Sequence, residues 1–344
     1  MIVYWILLSI LFLLVLGTVT NISEHSKNIL FWGCATTLIV LSSVRSFEVG
    51  VDTLNYCNGF EYIQRLSFKQ AMLFGWEQGY VAVNWILSRF FSDERALIIF
   101  MAFAILLPIF SWMKKESEWP MLSLLVFVCI GMWSSSMFIL RQWCAMAILT
   151  YSYKYIKQKK FFRFLIIVLI AAMFHHTAVI FLLAYFVYRI PINKVTVILA
   201  VPASMIIGLF GGRILSFLNQ FARNAEAGNY NGGLSMLAVL WLCVIAVLAC
   251  FKGTVPERLD FYFRLVFLAA FLQPIAFTFS DWSRIVAYFS VSLSIFLPNF
   301  VMELTSNRSK NHQLWLPLGG VTVCVLMLVW FGMTQPEPYI FMWS

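Results

Sequence analysis

The side chains most able to do chemistry in this sequence are ionisable groups that interrupt long apolar stretches. Arg141 follows the apolar run Met137 to Leu140, and His175 and His176 stand in the run Ala171 to Ala178. An arginine inside an apolar span is costly and normally faces a cavity or a partner. Its planar fork matches phosphate oxygens, and a nearby imidazole can remove a proton from a hydroxyl group. The two residue types together predict proton transfer beside a bound phosphate.

Two further polar segments stand earlier in the chain. From Arg45 to Tyr56 an arginine, a glutamate and Asp52 surround Gly50, a residue type that can adopt positive φ. This composition favours a shaped loop at a membrane surface, and a plain solvated turn is the alternative. The second segment begins at Glu77, where a carboxylate could also bind or activate a hydroxyl group.

Each candidate also has a structural alternative. A single His in an apolar stretch is more often a packing residue that hydrogen-bonds a neighbouring helix than a catalyst. Neighbouring side chains on a helix diverge by about 100°, so we expect only one of His175 and His176 to face the same cavity as Arg141. Arg284 could simply pair with Asp281, three residues earlier. The residues alone leave these alternatives open.

The composition places these residues in a membrane protein. Of 344 residues, 62% are hydrophobic and 11% are charged, and the mean hydropathy is +0.86; charged residues make up about 25% of a soluble domain. The net charge of +9 comes from short Lys and Arg clusters between apolar stretches, so it indicates cytoplasmic loops and not a nucleic-acid partner. The seven cysteines show neither a paired framework nor metal-ligand spacing.

The apolar stretches predict an all-α, polytopic integral membrane bundle of about 10–12 transmembrane segments. We expect residues 1–344 to form one membrane domain with extracytoplasmic loops at 45–92 and 211–233. Residues 71–91 are too polar for a confident span and predict an interfacial helix within the first loop. The 29 residues from Phe161 to Arg189 suit neither one span nor two full ones, so we expect a half-length helical pair with His175 and His176 at its apex.

Positive charge orients the bundle. The basic groups that should be cytoplasmic are Lys114 with Lys115, Lys154 to Arg163, Arg189 with Lys194, Lys252 with Arg258, and Arg308 with Lys310. Nearly every unusual polar residue then lies towards the extracytoplasmic face. The sequence shows no Asp-rich metal cluster and no nucleotide-phosphate loop, so an activated lipid carrier is a better donor than a nucleotide sugar.

Six short segments resemble one family, in the same order and over most of the chain. They are Arg45 to Tyr56, Glu77-Gln78-Gly79-Tyr80 with Asn84, Leu140-Arg141-Gln142 with Ala145, Ala172-Met173-Phe174-His175, Arg284 with Tyr288, and Pro338-Tyr339. These segments look like the EpsG group of Wzy-type polysaccharide polymerases, a family related to O-antigen polymerases.

This resemblance implies a metal-independent glycosyltransferase that needs no cofactor. Such an enzyme joins undecaprenyl-diphosphate-linked oligosaccharide repeat units into O-antigen, capsular polysaccharide or exopolysaccharide. Its donor and acceptor are lipid-linked glycans, and membrane lipid and a chain-length regulator protein are further expected partners. The implied location is the bacterial cytoplasmic membrane, with multiple passes and the active site on the extracytoplasmic side.

The expected site residues fall into two groups. The substrate-binding group is Arg141 and Arg284 as diphosphate clamps, with Arg45, Tyr56 and Gln142 as further contacts. The catalytic group, which would bind or activate the acceptor, is His175, Asp52 and Glu77. His175 is the leading base candidate because it occupies the position that the family pattern marks.

Two other functions would also use buried arginines. A flippase for lipid-linked oligosaccharides should show access from both faces and internal repeats, and we find no repeats in the sequence. A membrane O-acyltransferase uses Arg and His as well, but it needs a cytoplasmic route for its acyl donor. The candidate residues are expected on the opposite side, so the sequence favours the polymerase.

Overall fold

A chain inside a bilayer must satisfy its own backbone hydrogen bonds, and an apolar sequence of this kind does so as helices. The computed structural model describes residues 2–18, 22–219, 233–251, 255–279, 281–306, 312–334 and 338–343. Over these residues the chain folds into helices joined by short connections, with one isolated β-bridge between Arg45 and Phe341. The predicted all-α architecture is confirmed.

The first of two compact units comprises Met1–Val179 and Leu297–Ser344. Its helices are α1 (Ile2–Gly17), α2 (Glu24–Ser43), α3 (Thr53–Gln64), α4 (Phe68–Ala71), α5 (Gln78–Leu87), α6 (Arg95–Glu116), α7 (Pro120–Cys129), α8 (Met132–Ser136), α9 (Leu140–Leu149), α10 (Tyr153–Lys157) and α11 (Phe161–Ala172), and, later in the chain, α18 (His312–Thr334).

The second unit comprises Ile180–Phe296. Its helices are α12 (Leu182–Val187), α13 (Lys194–Asn219), α14 (Gly233–Cys250), α15 (Glu257–Leu272) and α16 (Trp282–Ser290), and α17 (Leu293–Ser306) runs from this unit into the first. Helix α13 continues past the predicted end of its span, so residues 211–219 of the predicted loop at 211–233 are helical. Residues 220–232 of that loop lie outside the described residues.

Several helices are long and apolar enough to cross a membrane. Within the described ranges these are Arg95–Glu116, Lys194–Gly211, Gly233–Cys250, Glu257–Phe277 and Trp282–Thr305. The pair α7 and α8 adds a sixth candidate span, bent by 62°, and Gly131 at the bend has a φ of 78°. Shorter apolar helices cover Ile2–Gly17, Phe161–Ala172, His176–Val187 and Leu318–Gly332. These helices make the chain a multi-pass membrane protein.

The packing of the first unit brings the candidate segments together. Helix α6 lies against α2 on one side and α9 on another, and it buries residues along its length, such as Met101 and Phe110. Helix α9, which carries Arg141, also packs against α11, whose C-terminal end leads to His175.

The predicted loop at 45–92 is itself folded. Helices α3, α4 and α5 enclose a small apolar core that contains Ile63, Ala71 and Val81. Trp85 on α5 donates from Nε1 to the Leu66 carbonyl at 3.0 Å, which ties α5 to the end of α3.

The helix predicted over residues 71–91 is shorter than expected. The only α-helix longer than one turn in that range is α5, from Gln78 to Leu87, and residues 72–77 form a connection before it. Gly75 and the aromatic Trp76 occupy this connection. Glu77 therefore stands at the start of a helix and not within one.

Candidate functional site

Glu77 is the centre of a cluster of ionisable side chains. Its Oε2 accepts a hydrogen bond from Arg141 Nη1 at 2.7 Å, and its Oε1 lies 2.9 Å from His175 Nδ1 and 3.0 Å from His176 Nδ1. The His176 backbone N–H also donates to Oε1, at 3.2 Å. The side chains of Glu77, His175 and Arg141 are 11%, 17% and 25% exposed. One mostly buried carboxylate thus joins an arginine to an imidazole.

Three segments build this cluster. Glu77 immediately precedes α5, Arg141 lies in the first turn of α9, and His175 follows the end of α11. The Gly79 backbone N–H donates to the Met173 carbonyl oxygen at 2.8 Å. A Cβ atom at position 79 would lie 2.7 Å from the same oxygen. The missing side chain of Gly79 therefore lets α5 approach α11 closely enough for Glu77 to reach His175.

The Gly79→Ala variant should test this close approach. The added methyl group must push α5 away from Met173, and a displacement of about 1 Å can cost roughly 10²-fold in rate. Gly75→Ala is the matched control, because a Cβ at Gly75 meets nothing within 4 Å. On the polymerase activity that the family resemblance implies, we expect polymer in cells to fall at least about 10-fold with Gly79→Ala at normal abundance. Equal polymer from both variants would show that the close approach is not needed.

Aromatic rings fix the position of Arg141. Its guanidinium carbon lies 5.6 Å from the Trp76 ring centroid and 5.9 Å from that of Tyr56, and the two rings meet edge to face at 5.5 Å. The Trp76 ring fills the space beside Gly59, where a Cβ would lie 2.0 Å from it. Arg141 Nε is buried and has no hydrogen-bond partner among the described residues. The two rings and the hydrogen bond to Glu77 therefore hold the guanidinium in place.

The two histidines do not diverge as predicted. Helix α11 ends at Ala172 and a 3₁₀ helix begins at His176, so the two imidazoles stand at a break and not on one regular helix. Their ring centroids lie 5.1 Å apart, and both Nδ1 atoms lie beside the same Glu77 oxygen. The predicted 100° divergence is wrong for this reason. The two rings differ in exposure instead, since the His176 side chain is 79% exposed.

The carboxylate of Glu77 selects the tautomer of His175. An ionised carboxylate can only accept hydrogen bonds, so the nitrogen beside it, Nδ1, carries the proton. In the neutral imidazole the other nitrogen, Nε2, then keeps a lone pair. His175 is thus oriented by one nitrogen and able to accept a proton on the other, which is the state that a general base requires.

Burial and hydrogen bonding act in opposite directions on these groups. Burial alone raises the pKa of the Glu77 carboxyl, but the hydrogen bonds from His175 and His176 and the charge of Arg141 together hold that pKa well below its usual range. Burial lowers the pKa of the His175 imidazole, although its hydrogen bond to Glu77 opposes the shift. Both shifts favour a charged carboxylate beside a neutral imidazole.

Arg45 lies apart from this cluster. It is 1% exposed, and its guanidinium donates to the carbonyl oxygens of Ser42 and Met137. The backbone around it pairs with the C-terminal tail, because Ser46 N–H donates to the Ile340 carbonyl at 2.8 Å. This differs from the predicted diphosphate contact: the Arg45 guanidinium donates to two backbone carbonyls and so joins the end of α2 to Met137.

The remaining candidates of the first unit are Tyr56, Gln142 and Asp52. Tyr56 is 3% exposed and presents its ring to Arg141. Gln142 is 2% exposed, and its Nε2 lies 3.9 Å from Met146 Sδ. Asp52 precedes α3, and its carbonyl accepts from the Tyr56 backbone N–H at 3.1 Å. The buried Tyr56 thus contacts Arg141, Gln142 is buried next to Arg141 in the chain, and Asp52 stands one helical turn before Tyr56.

Arg284 belongs to the second unit. Its Nε lies 3.8 Å from Asp281 Oδ1, and the two side chains are 41% and 55% exposed. The local pair that the sequence suggested as an alternative is therefore present. An exposed pair of this kind adds little stability, so it leaves the predicted role of Arg284 untested.

Two residues of the cluster were not singled out from the sequence. Trp76 contacts Arg141 and Gly79 makes the backbone approach, yet neither carries a charge that would draw attention. Both residues lie within two positions of Glu77. A glycine two residues after an isolated carboxylate was the sequence feature that could have indicated the close backbone approach.

Comparison with known proteins agrees with the family resemblance found in the sequence. The family model of the EpsG family matches residues 28–341, nearly the whole chain. No curated protein and no solved structure matches the chain. The match includes every residue of the Glu77 cluster, most of the first unit and all of the second, and the chain therefore belongs to the EpsG family.

Proposed function

We propose that this chain is a membrane glycosyltransferase that polymerises undecaprenyl-diphosphate-linked oligosaccharide repeat units on the extracytoplasmic face of the bacterial cytoplasmic membrane. The observation that carries the proposal is the shared hydrogen bonding of Glu77 to Arg141 and His175. Membership of the EpsG family supports a polysaccharide polymerase-like membrane protein. A lipid-linked donor is inferred from the chemistry of the residues, undecaprenyl diphosphate as its carrier from the family resemblance, and the side of the membrane from the charge pattern.

In the proposed reaction His175 acts as the general base. Its Nε2 takes the proton of an acceptor-sugar hydroxyl group, and the oxygen attacks the anomeric carbon of the donor glycan. The bond between that carbon and the diphosphate oxygen breaks, and its electron pair leaves with undecaprenyl diphosphate. Glu77 does not touch the reacting atoms in this scheme: it is a positioning residue that holds the His175 tautomer.

Arg141 serves the leaving group. Negative charge develops on the diphosphate as the bond breaks, and a preorganised cation lowers the energy of that state. One guanidinium nitrogen is already bonded to Glu77 and Nε is buried, so the proposed phosphate contact falls to the remaining N–H donors of this partly exposed side chain. The carboxylate therefore couples the arginine that stabilises the leaving group to the histidine that activates the acceptor.

The lipid-linked glycans that accumulate after deletion of the gene test this function. Loss of a polymerase should leave single repeat units on the outer leaflet, and complementation with the wild-type chain should restore long polymer. Accumulation on the inner leaflet would indicate a flippase instead. Polymer of normal length that lacks acyl groups would indicate an O-acyltransferase.

Replacing Arg141 with Lys should remove most of the activity. The ammonium keeps the charge but is a point donor that cannot form a planar fork on a diphosphate. Arg65→Lys is the matched control, because Arg65 is exposed and, within the part of the chain that the structure describes, forms an ion pair only with Glu61, one turn before it. We expect surface polymer to fall with Arg141→Lys and to persist with Arg65→Lys. Full-length polymer from Arg141→Ala at normal abundance would remove Arg141 from the site.

The predicted diphosphate contact of Arg284 stays a prediction with its own test. Arg284→Lys should lower polymer at normal abundance if the fork of Arg284 binds phosphate. Asp281→Asn is the control that breaks the observed pair without changing the arginine. Normal polymer from Arg284→Lys would leave Arg284 as a surface residue.

Single-Cys labelling tests the side of the membrane. In a Cys-free background, probes at Asn55 and Asn229 should react with an impermeant thiol reagent in intact cells, and probes at Gln158 and Asn307 should not. Asn229 and Asn307 lie outside the described residues. Labelling of Gln158 without labelling of Asn55 would reverse the orientation.

A further inference from the structure

The donor atoms around Glu77 Oε1 suit a metal ion. We propose that Glu77, His175 and His176 form a binding site for a transition-metal dication of the Zn²⁺ class, and that the bound ion inhibits the enzyme. The inhibition rests on the function proposed above, whereas the binding does not. Neither the sequence nor the family match assigns a metal to these residues.

The geometry needs little adjustment. Glu77, His175 and His176 each offer one ligand atom, and these three atoms lie within 4.8 Å of one another. A tetrahedral Zn²⁺ about 2.0–2.1 Å from each donor requires donor atoms roughly 3.3 Å apart. Two of the present distances, 2.9 Å and 3.0 Å from Oε1 to the two Nδ1 atoms, are already near that value. Small side-chain movements would complete a three-ligand site with a fourth position for water.

The donor set selects the class of ion. Two imidazole nitrogens with one carboxylate oxygen suit Zn²⁺, Cu²⁺ and Ni²⁺. Mg²⁺ and Ca²⁺ take oxygen ligands almost exclusively, so they should not compete for this site.

The surroundings supply support and access. Arg141 Nη1 donates to Glu77 Oε2, the oxygen that does not face the histidines, and so holds the carboxylate in orientation. Outer partners of this kind are usual for ligating carboxylates. The His176 side chain is 79% exposed and gives an ion a direct path from solvent. The site thus has its three ligands, a supporting residue and an entry path.

Metal binding and base chemistry need opposite tautomers of His175. To ligate through Nδ1, the imidazole must present a lone pair there, and its proton then resides on Nε2. The neutral base requires the reverse arrangement. An ion in the site would therefore remove the lone pair that the acceptor hydroxyl group needs.

Zinc binding to the purified full-length protein in detergent tests the site. Equilibrium dialysis with Zn²⁺ should find a site in the wild type that Mg²⁺ does not displace. His176→Ala should weaken that site by roughly 10–100-fold or more. His25→Ala is the matched control, because His25 is exposed in the first turn of α2, outside the cluster. Equal affinity and stoichiometry in the wild type and His176→Ala, or no binding at all, would overturn the proposal.

A second arm tests the inhibition. Polymerisation with Zn²⁺ is expressed for each variant relative to its own activity without the ion. Zn²⁺ should suppress the wild type, a chelator should restore it, and His176→Ala should resist suppression. Stimulation by Zn²⁺ would contradict the inhibitory role. If the purified protein makes no polymer, the proposed function fails while the binding measurement still decides whether the site exists.

Discussion

Cells that carry His175→Ala in place of the wild type should lose the ladder of surface polysaccharide and retain single lipid-linked repeat units. Removal of a general base typically costs on the order of 10²–10⁴-fold in rate. His175 is the better buried of the two histidines, and the Glu77 carboxylate fixes its tautomer. The alanine variant removes the Nε2 lone pair and leaves the helix ends in place.

His176→Ala is the control variant for this prediction. His176 keeps its backbone N–H bond to Glu77 as alanine, and its imidazole is largely exposed. Because the His176 ring is exposed, we expect His176→Ala to have little effect on abundance. Immunoblots must show matched amounts of both variants. A normal polysaccharide ladder from His175→Ala would refute the assignment of His175 as the general base and make Asp52 the next candidate for that role.

Replacing Glu77 with Gln should have an effect of similar size. The amide has one acceptor oxygen, and its NH₂ group would face donors that now point at a carboxylate oxygen. If the NH₂ group faces His175, Nδ1 must accept from it and the His175 proton moves to Nε2, which removes the base. If the NH₂ group faces Arg141 instead, two donors oppose each other and the arginine loses its hydrogen bond. The lost charge also leaves Arg141 without its anion. We expect a loss on the order of 10²-fold in polymerisation and a destabilisation of about 1–3 kcal/mol.

The control for Glu77→Gln is Glu61→Gln. Glu61 pairs with Arg65 one turn along α3, and both side chains are more than half exposed. An exposed pair contributes little, so Glu61→Gln should keep both polymer and melting temperature. The account fails if Glu77→Gln retains full polymerisation, because the carboxylate is what joins Arg141 to His175.

Much of this architecture follows from sequence alone, for identifiable reasons. Composition and apolar stretches set the all-α membrane class, because a bilayer permits few other structures. The segment from Phe161 to Arg189 was predicted to be a pair of half-length helices. The structure has two short apolar helices there, with His175 at the break between them. Arg141 was singled out because an arginine in an apolar stretch is costly, and it does pair with a buried partner.

Other features depend on contacts between distant segments. The sequence could not show that Glu77 lies between Arg141 and His175, which stand 64 and 98 positions away. It could not show that Arg45 would be buried, because the backbone next to Arg45 pairs with Ile340, which is distant in sequence and near the end of the chain. Helix geometry also predicted that the side chains of His175 and His176 diverge by about 100°. The prediction fails because α11 ends at Ala172, before both histidines.

The most direct test of the central claim uses the purified wild-type protein and Glu77→Gln with lipid-diphosphate-linked repeat units as the sole glycan. The wild type should form glycans of two or more units on one lipid and release one undecaprenyl diphosphate for each new linkage. Glu77→Gln should leave most single units unchanged over the same period. Unchanged single units with the wild type, or equal polymer from both proteins, would contradict the assignment of this cluster as the active site of a polymerase.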